Sequence, residues 1–233
     1  MRRQVRAVLF DKDGTLYDFQ ATWSQWAVRL LDELGGGNAE RAARLAEAIR
    51  FDPLARRFRP DSPVIAGTPE QAARALLPAL PGMTPEALLA RIDAIAAAVE
   101  LAEAVPLAPL LARLRRAGLK LGVATNDAEA VARAHLGRSG VAESFDLILG
   151  CDSGHGAKPA PGMCLAFARG VALEPSEVLM VGDSTHDLEA AAAAGMRAVA
   201  VLTGVAEAGT LVPLAEAVLP DIGHLPAWLG IGG

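Results

Sequence analysis

The stretch VLFDKDGTLYDF, residues 8–19, sets an apolar run directly against two carboxylates, Asp11 and Asp13. Val8 to Phe10 continue the segment RAVLF at 6–10, which has the length and texture of one buried strand. Side chains two apart in an extended chain point the same way, so Asp11 and Asp13 face one site and Lys12 points elsewhere. Gly14 permits a sharp turn and Thr15 supplies a hydroxyl. Taken alone, the stretch can also be read, with less weight, as an acidic Asp-Gly turn. The rest of the chain decides between the two.

Working outward, residues 16–104 contain helical patterns and no convincing strand. A helix is expected from Ala21 to Leu34, with Trp23, Ala27, Leu30 and Leu34 on one face. LGGGNAE at 34–40 stops it, and Asn38 can cap a second helix to about Arg50. Residues 51–69, rich in proline and arginine, read as loop. Helices follow at 69–80 and, after the cap Thr84 and Pro85, to about Ala104. Beyond Pro106 helices and apolar strands alternate. Strands are expected at 119–126, 145–150, 177–184 and 196–202. That alternation predicts a parallel sheet covered on both faces, with the 6–10 strand in it. The fold class is therefore α/β: a Rossmann-like parallel-sheet core with an inserted all-helical cap domain. The core takes residues 1–15 and 105–233, and the cap takes 16–104.

Composition fits a globular chain. Of 233 residues, 52% are hydrophobic and 21% charged, which excludes a disordered chain. The net charge of −5 argues against a general nucleic-acid binder. No apolar run reaches a membrane span, and the first one stops at Asp11, too early for a secretory leader. Cys151 and Cys164 form no metal-like pair and read as free thiols of a reduced compartment. A cytoplasmic protein, monomer or homodimer, is expected.

In such sheets ligands bind beyond the carboxyl ends of the strands. One end here carries Asp11 and Asp13. A second, VATND, brings Thr125 and Asn126 to a helix start, where hydroxyl and amide groups hold anions. The loop CDSGHGAKPAPG brings Lys158, biased toward extended backbone by Pro159. His155 in that loop, between two glycines, reads as an ordinary loop residue. VGDSTHD brings Asp183 and, one helical turn on, Asp187. Each has a plain structural explanation as a cap or a solvated charge. Together they would place several like charges at one edge, an arrangement that calls for a cation.

The chemistry that suits this set is phosphoryl transfer. A carboxylate can attack phosphorus and form an acyl phosphate. At about 4 Å and an effective dielectric of about 20, it faces about 8 kcal/mol of repulsion from a phosphate dianion. Mg²⁺ suits the bridging role because it binds one or two carboxylates and keeps positions for phosphate oxygens. A second carboxyl beside the first can protonate the leaving oxygen and then activate water.

DKDGT at 11–15, ATN at 124–126, KP at 158–159 and GDSTHD at 182–187 resemble, in order and position, the motifs of the haloacid dehalogenase (HAD) superfamily. The helical segment after the first motif resembles the phosphoglycolate phosphatase-like subfamily, although Phe19 stands where many members carry serine. The resemblance implies Asp11 as nucleophile and Asp13 as general acid and base. It implies Mg²⁺ held by Asp11, the Asp13 carbonyl and Asp183, with Asp187 supporting it from behind. Thr125, Asn126 and Lys158 would hold the phosphate of a small phosphorylated metabolite. Asp13 argues against a true dehalogenase, which has no alkoxide to protonate. The absence of lysine from 16–104 argues against a Schiff-base phosphonate hydrolase. A sugar-phosphate mutase, or a non-catalytic regulatory protein on the same fold, remains as an alternative. Arg56, Arg57 and Arg59 could meet a second anion but read better as a solvated loop. Trp23 and Trp26 read as helix core before substrate wall.

Overall fold

The computed structural model describes residues 4–232. The first strand, β1 (Ala7–Phe10), has all four residues fully buried. Helix α1 (Phe19–Gly35) follows, then α2 (Ala39–Ala48), the two-residue strands β2 (Phe51–Asp52) and β3 (Arg57–Phe58), α3 (Pro69–Leu76) and α4 (Pro85–Ala97). The chain then alternates: α5 (Leu107–Arg116), β4 (Lys120–Ala124), α6 (Glu129–Arg138), β5 (Leu147–Leu149), α7 (Gly162–Gly170), β6 (Val178–Gly182), α8 (Thr185–Ala194) and β7 (Arg197–Val201). It ends with α9 (Ala208–Leu211), β8 (Val218–Leu219) and α10 (Leu225–Trp228).

Six strands form one parallel sheet in the order β5-β4-β1-β6-β7-β8. Side chains alternate between its faces, as strand geometry requires. Val8 and Phe10 join an apolar cluster with Leu121, Leu179 and the α5 leucines. Ala7 and Leu9 join the opposite cluster with Phe167, Met180 and the α8 alanines. The alanine run of α8 packs on Ala198 and Ala200 of β7, so a thin helix face meets a thin strand face. Gly122 of β4 has a similar purpose, since a Cβ there would fall 2.3 Å from the Phe167 ring.

Helices α1 to α4 gather their own apolar cluster around Trp26, Leu30, Leu45, Leu76, Leu88 and Ile92. Asp18 caps α1 by accepting from the Ala21 amide, which starts this helix earlier than the expected Ala21. The way into this helical unit and the way out of it run side by side: the Asp18 amide donates to the Ala102 carbonyl and the Ala104 amide to the Leu16 carbonyl. One expectation is corrected. The inserted segment is not all-helical, because β2 and β3 pair antiparallel through Phe51–Phe58 and Asp52–Arg57. Arg56 takes a left-handed conformation in the turn between them, with φ of 51°, and Phe51 and Phe58 bury their rings against each other. Strand β8 at the sheet edge was also not expected. Its two half-buried residues carry no periodicity.

Candidate active site

The chain lays β4 and β5 to one side of β1, then returns to lay β6, β7 and β8 on the other. The carboxyl ends of β1 and β6 therefore flank the point where strand order reverses, the usual place for a ligand in an open α/β sheet. Asp11 follows β1 and Asp183 follows β6. Asp187 lies in the first turn of α8, where its carboxylate accepts from the Ser184 amide and hydroxyl. Asp183 precedes this helix and does not share a face with Asp187, contrary to the expectation from their spacing. Strand end and helix start nevertheless converge. Oxygens of Asp11, Asp183 and Asp187 lie within 4.8 Å of one another, all three residues being buried.

Lys158 enters this cluster from the β5–α7 loop. Its Nζ donates to Asp11 Oδ1 at 2.6 Å, to Asp187 Oδ1 at 2.6 Å and to the Ala124 carbonyl at 2.7 Å. Asn126 fixes the lysine backbone: it accepts from the Lys158 amide and donates to the Lys158 carbonyl, with a further bond to the Ala66 carbonyl. The Thr125 hydroxyl accepts from the Asp127 amide. His155 is exposed, as expected of a loop histidine.

One ammonium does not balance three buried carboxylates. Burial, opposed by Lys158, lifts the Asp11 carboxyl to about 7. Burial and the neighbouring Asp11 and Asp187 push Asp183 well above its ordinary range. The Asp183 carboxylate is packed closely against two glycines. Gly14, at φ of +84°, would place a Cβ 2.3 Å from the Asp183 carboxylate, and Gly204 would place one at 1.7 Å. Hard oxygen donors converging within 4.8 Å and an excess of negative charge together fit a small divalent cation.

Asp13 faces the same cavity as Asp11. Lys12 does point elsewhere, but not into solvent. It is fully buried, bonded to Asp13 at 2.6 Å and to His135 Nδ1 at 3.1 Å, and ion-paired with Asp127 at 3.2 Å. An ammonium only donates, so Nδ1 accepts and the His135 Nε2 proton goes to the Ala96 carbonyl, 2.8 Å away. Burial and the Lys12 charge hold that imidazole neutral, with its pKa lowered to about 4. Sequence reasoning missed this network, whose members stand up to 123 positions apart. Burial of Lys12 follows from its place at a buried strand end, the one signal that could have exposed it.

Trp23 and Trp26 belong to the helical core and also line the cavity that holds the carboxylates, so the two readings of these residues coincide. The arginines behave as a basic surface loop. Arg59 pairs with Glu47 at 2.7 Å, Arg50 pairs with Glu47 and Asp61, and among the described residues no arginine lines the cavity.

Fold and site thus define an α/β protein with a buried acidic centre at the switch point of its sheet. A haloacid dehalogenase-like hydrolase family model matches residues 5–195, and the chain belongs to that family. A phosphoglycolate phosphatase from Neisseria meningitidis is 40% identical over 118 residues, 50% of each chain. Another from Rhodospirillum rubrum is 36% identical over 121 residues, 52% of this chain and 50% of the relative. The chain thus matches these curated relatives over about half their length. A HAD phosphatase from Thermococcus onnurineus shares the fold at a TM-score of 0.69 and 25% identity, covering 97% of this chain and 99% of that one.

Proposed function

We propose that the protein is a Mg²⁺-dependent phosphatase acting on a small phosphomonoester through an aspartyl phosphate on Asp11. The observation that carries this is the meeting of Asp11, Asp183, Asp187 and Lys158 at one buried point. Family membership and the phosphatase relatives support the same reading. Asp11, the Asp13 carbonyl and Asp183 would hold the cation, which supplies the positive charge that lets a carboxylate meet a phosphate dianion. Asp187 braces Lys158 and keeps it beside Asp11.

Lys158, Thr125 and the Asn126 amide hold the phosphate oxygens. Asp11 attacks phosphorus while Asp13 protonates the departing alkoxide. Asp13, now a base, takes a proton from water as that water cleaves the Asp11 acyl phosphate. Lys12 keeps the Asp13 carboxylate aimed at the cavity from behind. Residues 16–104 act as a cap over the site and residues 105 onward rejoin the core, so that transfer proceeds away from bulk water.

The test is turnover of p-nitrophenyl phosphate after EDTA treatment, with and without Mg²⁺ added back. EDTA is expected to abolish it, Mg²⁺ to restore it, and Asp11→Asn to remove it in a folded protein. Turnover that survives chelation, or that survives in Asp11→Asn, overturns the proposal.

A further inference from the structure

Part of the wall of the cavity that holds the carboxylates is apolar and aromatic. Phe19, Trp23, Trp26, Val64, Pro69 and Ile92 line it. The same cavity is lined by Asp11, Asp13, Asp127, Asp183 and Asp187. Among the lysines and arginines of the described residues the cavity is lined by Lys158 alone, whose ammonium meets Asp11, Asp187 and the Ala124 carbonyl and, in the proposed function, serves the phosphate. His186, at the edge, bonds the Ala66 carbonyl through Nδ1. Arg74 lies in the adjoining hollow, where Gly67 and His186 also line the wall. With Lys158 on Asp11 and Asp187, Lys12 on Asp13 and Asp127, and the proposed Mg²⁺ on Asp11 and Asp183, every cation at the site already has carboxylate partners, so a carboxylate on the leaving group would find none of its own.

A second observation concerns Trp23. The indole is 8% exposed, and its Nε1–H has no partner among the described residues, whereas the Trp26 Nε1–H donates to the Ile92 carbonyl. A buried donor left unpaired is costly, and a ligand oxygen can satisfy it. Trp23 stacks on Phe19 and meets Trp26 edge-on, with the Lys12 ammonium 5.6 Å from its ring centroid, so the wall is held on several sides.

Building on the phosphatase reading, we propose that the natural leaving group is uncharged and largely apolar, with a hydrogen-bond acceptor for Trp23, and carries no second anionic group. This departs from phosphoglycolate, the substrate that the names of the two curated relatives state for those proteins.

Two matched pairs test it with Mg²⁺-loaded wild type: phenyl phosphate against 4-carboxyphenyl phosphate, and ethyl phosphate against phosphoglycolate. The neutral ester of each pair is expected to have at least a tenfold higher kcat/KM. Equal values, or preference for the acids, overturn the assignment. Binding of the same esters to Asp11→Asn, followed by tryptophan fluorescence, reads the preference without turnover. Preferential binding of the neutral esters with no wild-type turnover would sink the phosphatase reading and leave the leaving-group assignment standing. Turnover with the acids preferred would do the reverse. Trp23→Phe, which keeps the ring wall, and Trp23→Ala are both expected to raise KM for phenyl phosphate more than for methyl phosphate, whose leaving group offers the wall a single carbon. An equal rise for both esters counts against a substrate contact at Trp23.

Discussion

Lys12 shows how one residue binds the site to the core. Its ammonium stands between Asp13 and Asp127, with no exposed surface of its own. Burial alone would depress its pKa, yet the two carboxylates raise it above the ordinary lysine value. Removing one member of such a group leaves buried charges uncompensated. Lys12→Met is therefore expected to cost about 3–5 kcal/mol of stability, measured by urea unfolding near neutral pH. A loss under about 1 kcal/mol would mean that water already solvates the Asp13–Asp127 pair. In the sequence, Lys12 reads only as the residue between two aspartates. Its partners Asp127 and His135 come from another strand end and another helix, so no local pattern announces them. Asp11, Asp13, Asp183 and Lys158 were legible because each sits at a strand end or in the loop just after one, where apolar runs and turn residues mark the position.

Helix α6 carries the next link. His135 reaches from it to the Ala96 carbonyl of α4, and Val131 packs into the helical cluster, so α6 joins the sheet to the inserted helices. The sign of its pH effect follows from its neutral state. An unfolded chain takes up the His135 proton near pH 6.5, while the folded chain resists it until about 4. Stability from His135 is thus full above pH 6.5 and falls as pH drops toward 4, by about 3 kcal/mol across the window. His135→Gln removes that titration, so its unfolding free energy is expected to slope less over this range than that of wild type. Parallel slopes in a urea titration at several pH values would contradict it. At this scale the βα alternation was legible because each core element repeats an apolar pattern of its own period. The β2–β3 hairpin was not, because two residues per strand show no period. What makes it is the Phe51–Phe58 contact and a left-handed Arg56, which nothing local in the arginine-rich loop foretells.

At the scale of the whole molecule, the sheet's switch point concentrates charge that the fold alone does not neutralise. Asp183 is the clearest case, since its carboxyl is held well above its usual range by burial and its acidic neighbours. Asp183→Asn keeps an oxygen for the Thr15 hydroxyl while removing one charge. In EDTA it is expected to melt above wild type, and Mg²⁺ is expected to stabilise wild type but not the variant. A lower midpoint in EDTA would show that Asp183 is balanced without a cation. Among the described residues no helix is long and apolar enough to cross a membrane. The central claim is that Asp11 takes the phosphoryl group. The measurement that reaches it most directly is acid-quenched mass spectrometry of the protein during turnover of a phosphomonoester with Mg²⁺. A phosphoryl adduct on the peptide containing Asp11, absent from Asp11→Asn, is the expected result. Sustained turnover with the adduct on another residue, or in Asp11→Asn itself, would contradict it.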